Sequence, residues 1–134
     1  MERKELMELF NIPHRIGALS TCDSKGNLNA GLFGSLRMVD ENTVVMGCGE
    51  NRTLANMREN PKAVFLFFEP GSNPMEWKGA RVYLYVVKIE AQGALFNKLV
   101  EQIRAAAGDR AASGITAAVT FRIENVRPII DPVR

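Results

Sequence analysis

The sequence predicts a mainly β domain with flanking helices, its antiparallel strands closing into a small barrel. Three observations carry this reading. Apolar runs rich in Val, Ile, Leu and Phe recur along the chain, set apart by tight turn sequences such as Asp23-Ser24-Lys25-Gly26 and Asp40-Glu41-Asn42. Only three stretches carry the period of an amphipathic helix. The count, about six strands and three helices in 134 residues, suits strands that are hairpin-linked and close on themselves.

In chain order, Glu2 to Phe10 reads as a helix, with Leu6, Leu9 and Phe10 at helical spacing, and Pro13 ends it. Arg15 to Cys22 is the first strand and Asn27 to Val39 the second. The turn Asp40-Glu41-Asn42 leads to a third, Thr43 to Met46, and short turns between all three predict a meander. A glycine turn and a short helix follow, stopped by Asn60-Pro61. Ala63 to Phe68 is continuously apolar, the pattern of a strand buried on both faces. Glu69 to Lys78 is a loop with Pro70, Gly71, Pro74 and the sole tryptophan, Trp77. Arg81 to Gln92 is a long strand whose alternation breaks once, which predicts a bulge. From Gly93 the period changes: Leu95, Phe96, Leu99, Val100 and Ile103 form a helical stripe reaching Ala107. Ile115 to Val126 is the last strand, with Ala117, Val119, Phe121 and Ile123 on one face, and Arg127 to Pro132 is an extended tail.

Composition narrows the function classes. The length predicts a single domain, residues 1–134. The net charge of +2 argues against nucleic acid or a membrane surface as partner, and no apolar run approaches the roughly 20 residues that span a bilayer. The charged start Met1-Glu2-Arg3-Lys4-Glu5 lacks an apolar signal region, which predicts a cytoplasmic protein. Cys22 and Cys48 have no metal-ligand spacing and His14 is the only histidine, so no metal site and no histidine-centred triad is expected.

One stretch stands out. Thr43-Val44-Val45-Met46 runs into Gly47-Cys48-Gly49, and Asn51-Arg52-Thr53 then opens a helix marked by Leu54 and Met57. The first turn of a helix has amides without intrahelical partners and a partly positive end. Gly47 and Gly49 would let the backbone approach a ligand, Arg52 adds a forked cation, and Thr53 adds a hydroxyl, which together make a phosphate cradle. The plainer reading is a helix cap with Arg52 solvated. A dinucleotide fingerprint fits less well: Arg52 stands at the third glycine position, Pro61 cuts the helix short, and the preceding strands are hairpins.

The runs Ile16-Gly17-Ala18-Leu19-Ser20-Thr21, Gly26-Asn27-Leu28-Asn29-Ala30 and Leu36-Arg37-Met38-Val39-Asp40, with Arg52-Thr53-x-x-Asn56-x-x-x-Asn60-Pro61 after the glycine turn, resemble the FMN-binding split-barrel proteins. That superfamily includes pyridoxamine 5′-phosphate oxidase. The resemblance implies a six-stranded antiparallel split β-barrel, a homodimer, and FMN in clefts between subunits. It implies phosphate contacts at Arg52 and Thr53 beside Asn51. It implies a turn of Gly47, Cys48 and Gly49 against the ribityl chain, and Gly31, Leu32, Phe33, Gly34 and Ser35 near the ring, with Ser35 a polar contact. The ending Val126-Arg127-Pro128-Ile129-Ile130-Asp131-Pro132-Val133-Arg134 lacks the Arg-Leu-x-Pro segment of pyridoxamine 5′-phosphate oxidase proper, so that activity is not carried over.

The resemblance leaves two function classes: a flavin-dependent oxidoreductase of unknown substrate, fed by a nicotinamide nucleotide or a small molecule, and a non-catalytic FMN-binding or electron-transfer protein. No side chain stands out as an acid or base, so no catalytic residue is assigned. Trp77 reads as a flavin-stacking ring or a loop anchor, Cys48 as a redox thiol or a packing residue, and Lys78 and Arg81 as substrate contacts or solvated charges. His14 reads as a surface or hydrogen-bonded residue.

Overall fold

A computed structural model describes residues 1–132. The elements in order are α1 (Arg3–Phe10), β1 (Ile16–Cys22), β2 (Leu28–Leu32), β3 (Arg37–Asp40), β4 (Thr43–Cys48), α2 (Arg52–Glu59), β5 (Lys62–Glu69), a 3-10 turn (Pro74–Glu76), β6 (Lys78–Glu90), α3 (Ala94–Ala107), α4 (Asp109–Ser113) and β7 (Ala117–Arg127). The strands form one seven-stranded sheet in the order β2-β1-β5-β6-β7-β4-β3, and every neighbouring pair is antiparallel. The mainly β class with flanking helices holds, but the sheet has seven strands where six were expected. The stretch read as one strand, Asn27 to Val39, is broken at Phe33 to Leu36 into β2 and β3.

That break also overturns the meander. β2 and β3 are consecutive in the chain yet lie at opposite edges of the sheet. In a flat sheet the edges of seven strands would stand about 29 Å apart. The four-residue link Phe33 to Leu36 reaches at most roughly 17 Å. The sheet must therefore curl until its edges approach, leaving a barrel that is split between β2 and β3 rather than closed by a ladder.

The long β6 makes the curl possible. It pairs with β5 through its first half and with β7 along most of its length, with register shifts at Tyr83/Leu84 and Val86/Lys88. Such irregularities add local bend and twist. The expected single break is thus two.

The interior holds Leu19, Phe65, Phe67, Val82, Leu84, Val119 and Phe121 from the strands, with Leu6 and Phe10 from α1 and Leu54 and Met57 from α2. α1 acts as a plug: Leu6 and Phe10 are fully buried, each contributing roughly 1.5–3 kcal/mol. α3 lies outside, where Leu95, Phe96 and Leu99 pack over Val45 and Ala118.

The sheet's outer surface is covered on one side only. α3 covers the β4–β7 half. On the β2-β1-β5 half, Leu28, Leu32 and Ile16 stand exposed, at 84%, 76% and 42%. The register sets Leu32 and Leu66 beside Ala18, and Phe68 beside Ile16, on this same bare face. β5 is accordingly buried on one face, through Ala63, Phe65 and Phe67, while Val64, Leu66 and Phe68 are only half-buried in a single chain.

Candidate functional site

β4 ends at Cys48, the chain turns through Gly49 and Glu50, and Asn51 caps α2. Asn51 has extended backbone (φ −149°, ψ −179°) and its Oδ1 accepts from the Leu54 amide at 2.8 Å. Asparagine is among the preferred residues at this position because its short side chain satisfies one of the orphan amides. Among the described residues, the amides of Arg52 and Thr53 have no acceptor. Arg52 is exposed, and among the described residues its guanidinium forms no ion pair or hydrogen bond. Its field still reaches the β1–β2 turn. Hydrogen bonds from Asn27 hold the Asp23 carboxyl below its ordinary range, with a smaller contribution from Arg52.

The two glycines serve a purpose the sequence did not suggest. A Cβ on Gly47 would come within 2.7 Å of Ile103 Cδ1, and one on Gly49 within 2.6 Å of the Gly114 carbonyl oxygen. The space is taken by α3 and the α4–β7 link. The Thr116 amide donates to the Cys48 carbonyl at 2.9 Å, and the Thr116 hydroxyl to Glu50 at 3.2 Å. Arg58 grips both oxygens of Glu50 at 2.9 and 3.1 Å, which offsets the negative charge beside the helix start. The open part of this corner is Glu50, Asn51 and Arg52.

The two halves of the predicted site meet. Ser35 Oγ donates to the Gly47 carbonyl at 2.9 Å, and Asn29 Nδ2 donates to Thr53 Oγ1 at 3.3 Å. Thr53 is buried, so its hydroxyl seats α2 on β2, whereas Arg52 faces solvent. Residues 31–35 do not share one surface. Leu32 lies on the bare outer face, Phe33 packs against the core, and Gly34 has open space where a Cβ would stand. A Cβ on Gly31 would meet the Phe33 ring at 3.0 Å.

Asn29 was missed by sequence reasoning. It pairs with Thr21 across β1–β2, and Thr21 Oγ1 accepts from Asn56 Nδ2 at 3.1 Å. Thr53 and Asn56, one helical turn apart, thus meet Asn29 and Thr21 on neighbouring strands. Two polar residues paired on the inner face, opposite polar residues at i and i+3 of a helix, were the available signal.

The remaining candidates resolve toward structure. Burial pushes the Cys48 thiol up, which keeps it protonated and unreactive. Trp77 donates from Nε1 to the Gly71 carbonyl at 2.9 Å and stacks on Phe68 with ring centres 5.0 Å apart, anchoring its loop. Arg81 donates to the Pro128 carbonyl at 2.8 Å and pairs with Asp131, tying down the tail. His14 is exposed, at the one non-glycine position with positive φ among the described residues. Among the described residues there is no cluster of potential metal ligands and no helix long and apolar enough to cross a membrane.

A curled antiparallel sheet, split between its edge strands and carrying an open cation at a helix start beside the split, defines a split-barrel protein. The profile of the pyridoxamine 5′-phosphate oxidase family matches residues 3–129, and the chain belongs to that family. Solved structures share the fold. An FMN-binding protein from Syntrophomonas wolfei superposes with a TM-score of 0.83 at 23% identity, covering 98% of this chain and 90% of that one. HupZ of Group A Streptococcus gives 0.73 at 21% identity, covering 92% and 90%. The heme storage protein HutZ from Vibrio cholerae gives 0.63 at 15% identity, covering 92% and 87%. A search of curated proteins returned no match.

Proposed function

We propose that this protein binds FMN as a homodimer and works as a flavin-dependent oxidoreductase. The observation that carries the reading is the start of α2: an exposed arginine without an ion pair beside two amides without acceptors. That donor set fits the dianionic end of a flavin mononucleotide, because charge-assisted bonds and the helix dipole act in the same direction. Arg52 would hold the phosphate with the amides of Arg52 and Thr53, and Asn51 would fix the helix start. Gly47, Cys48 and Gly49 would shape the wall behind, and Gly34 and Ser35 would border the ring. FMN, when bound, supplies the hydride chemistry. The chain's own contribution is binding and exclusion of water, since the carboxylate at this corner, Glu50, is paired with Arg58 and the Cys48 thiol is held neutral.

The homodimer follows from the bare half of the sheet. Leu28, Leu32 and Ile16 with Val64, Leu66 and Phe68 make an apolar face, and a second copy covering it would remove this surface from water. β2 belongs both to that face and to the candidate site, so dimerisation would bring a partner against the cofactor region. Sedimentation should show a dimer, and Leu32→Asp should shift it to monomer.

The deciding experiment is titration of the purified protein with FMN and with riboflavin, followed by absorbance and flavin fluorescence. FMN should bind and riboflavin should bind markedly more weakly, because it lacks the phosphate. Absence of FMN uptake would overturn the reading. Repeated turnover with a nicotinamide nucleotide supports the oxidoreductase; tight binding without turnover supports an electron carrier. A parallel heme titration addresses the other ligand named among the structural neighbours. The pairing of the Glu50 carboxylate with Arg58 is the observation that keeps the carrier alternative in view.

A further inference from the structure

Arg15 is the one buried cation among the described residues, and no carboxylate pairs with it. Its guanidinium lies over two neighbouring aromatic rings, 5.0 Å from the centre of Phe10 and 4.9 Å from that of Phe65. Nε donates to the Phe10 carbonyl at 2.7 Å, and a terminal nitrogen donates to the Leu36 carbonyl. Burial lowers its pKa to about 10. A buried charge held this way is expensive to desolvate, and a hydrophobic side chain of similar size would serve packing as well.

The two carbonyls show what the charge accomplishes. Phe10 is the last residue of the α1 plug, and Leu36 is the last residue of the link across the split. Beside it, the Asn11 side chain donates to the Met38 carbonyl at 2.8 Å and accepts from the Met38 amide at 2.9 Å. That amide occupies the ladder position on β3 that a neighbouring strand would otherwise fill. The β3 side of the split is therefore tied by side chains to the connection between α1 and β1. No backbone ladder joins the two edge strands.

We infer that Arg15, with Asn11, is the clasp that sets where the link Phe33–Leu36 runs, and is thereby a positioning residue for the candidate cofactor site. The link carries Phe33, Gly34 and Ser35, and Ser35 reaches the glycine turn through Gly47. Planar, multidentate donation to two carbonyls on separate segments is a task for guanidinium rather than ammonium. Its consequence for FMN rests on the function proposed above, but the clasp itself does not.

The experiment compares wild type, Arg15→Lys, Arg15→Met and Asn11→Ala by amide hydrogen exchange without flavin and by FMN titration. Loss of the clasp should speed exchange at the amides of residues 33–38 at least tenfold, while β5 and β6 keep wild-type protection. FMN affinity, measured on folded protein well below the unfolding midpoint, should fall at least tenfold for Arg15→Met and less for Arg15→Lys. Arg15→Lys and Asn11→Ala decide the matter if Arg15→Met does not fold. Wild-type exchange at 33–38 in both of these, or a uniform rise across the whole sheet, overturns the clasp. If wild type takes up no FMN, the cofactor reading falls while the exchange result still decides the clasp.

Discussion

Two regions of this molecule gather arginines next to apolar surface, and they are built in opposite ways. At the tail, Arg81 and Arg127 both bind Asp131, Arg81 also holds the Pro128 carbonyl, and Trp77 is satisfied by Gly71 and stacked on Phe68. At the start of α2, among the described residues, Arg52 forms no ion pair and two amides lack acceptors. The first region spends its charges on its own chain. The second leaves positive charge and donors facing outward; of the carboxylates nearby, Glu50 is held by Arg58 and Asp23 accepts from Asn27. A charge answered internally stabilises a fold, whereas a charge left open is available to a ligand.

The sharpest way to break this contrast is at Arg52. Arg52→Ala should weaken FMN binding by about 1.5–3 kcal/mol, roughly 10- to 150-fold, and should narrow the preference over riboflavin. Equal affinities for variant and wild type would remove Arg52 from the phosphate site. Asn51→Ala should cost about 1 kcal/mol of stability through the lost cap, read as a lower unfolding midpoint in denaturant. FMN affinity should drop with it, because the helix start frays.

The tail region should respond less. Asp131→Asn removes a shared counter-ion of an exposed cluster, and the unfolding midpoint should barely move, with FMN affinity unchanged. Its pH dependence has a defined sign. Arg81, and to a smaller degree Arg127, holds the Asp131 carboxyl below its ordinary range. The latch is therefore complete above the ordinary carboxylate pKa and is lost as pH falls through the lowered one. Amide exchange at residues 128–131 should accelerate over that acid window in wild type and not in Asp131→Asn. The smallest effect is chemical: in native protein a thiol reagent should spare the buried Cys48, which should react once the chain is unfolded.

Much of the architecture was written in local pattern. Alternation and turn residues located most strands, and the helical stripes located α1, α2 and α3, because side-chain period reflects which face is buried. The division of β2 from β3 was not legible, since Phe33 and Leu36 are apolar enough to continue a strand. Ala63 to Phe68 looked buried on both faces because apolarity alone does not say whether a core or a second copy covers a side chain. The helix start was located through its motif, but the glycines before it proved to make room for Ile103 and Gly114. Those residues lie more than fifty positions downstream, beyond the reach of any local rule.

What the residues alone determined, then, is most of the elements and the helix start with its cap and its arginine, since these depend on neighbours within a few positions. Tertiary structure decided the rest: the strand order that puts β2 and β3 at opposite edges, the answering of Arg81 by Asp131, and the meeting of Asn29 with Thr53. The physical reason is that those outcomes depend on which distant segments the curled sheet brings within hydrogen-bonding distance. Arg81 and Arg52 are the same residue type, and only the folded chain gives one a partner and leaves the other open.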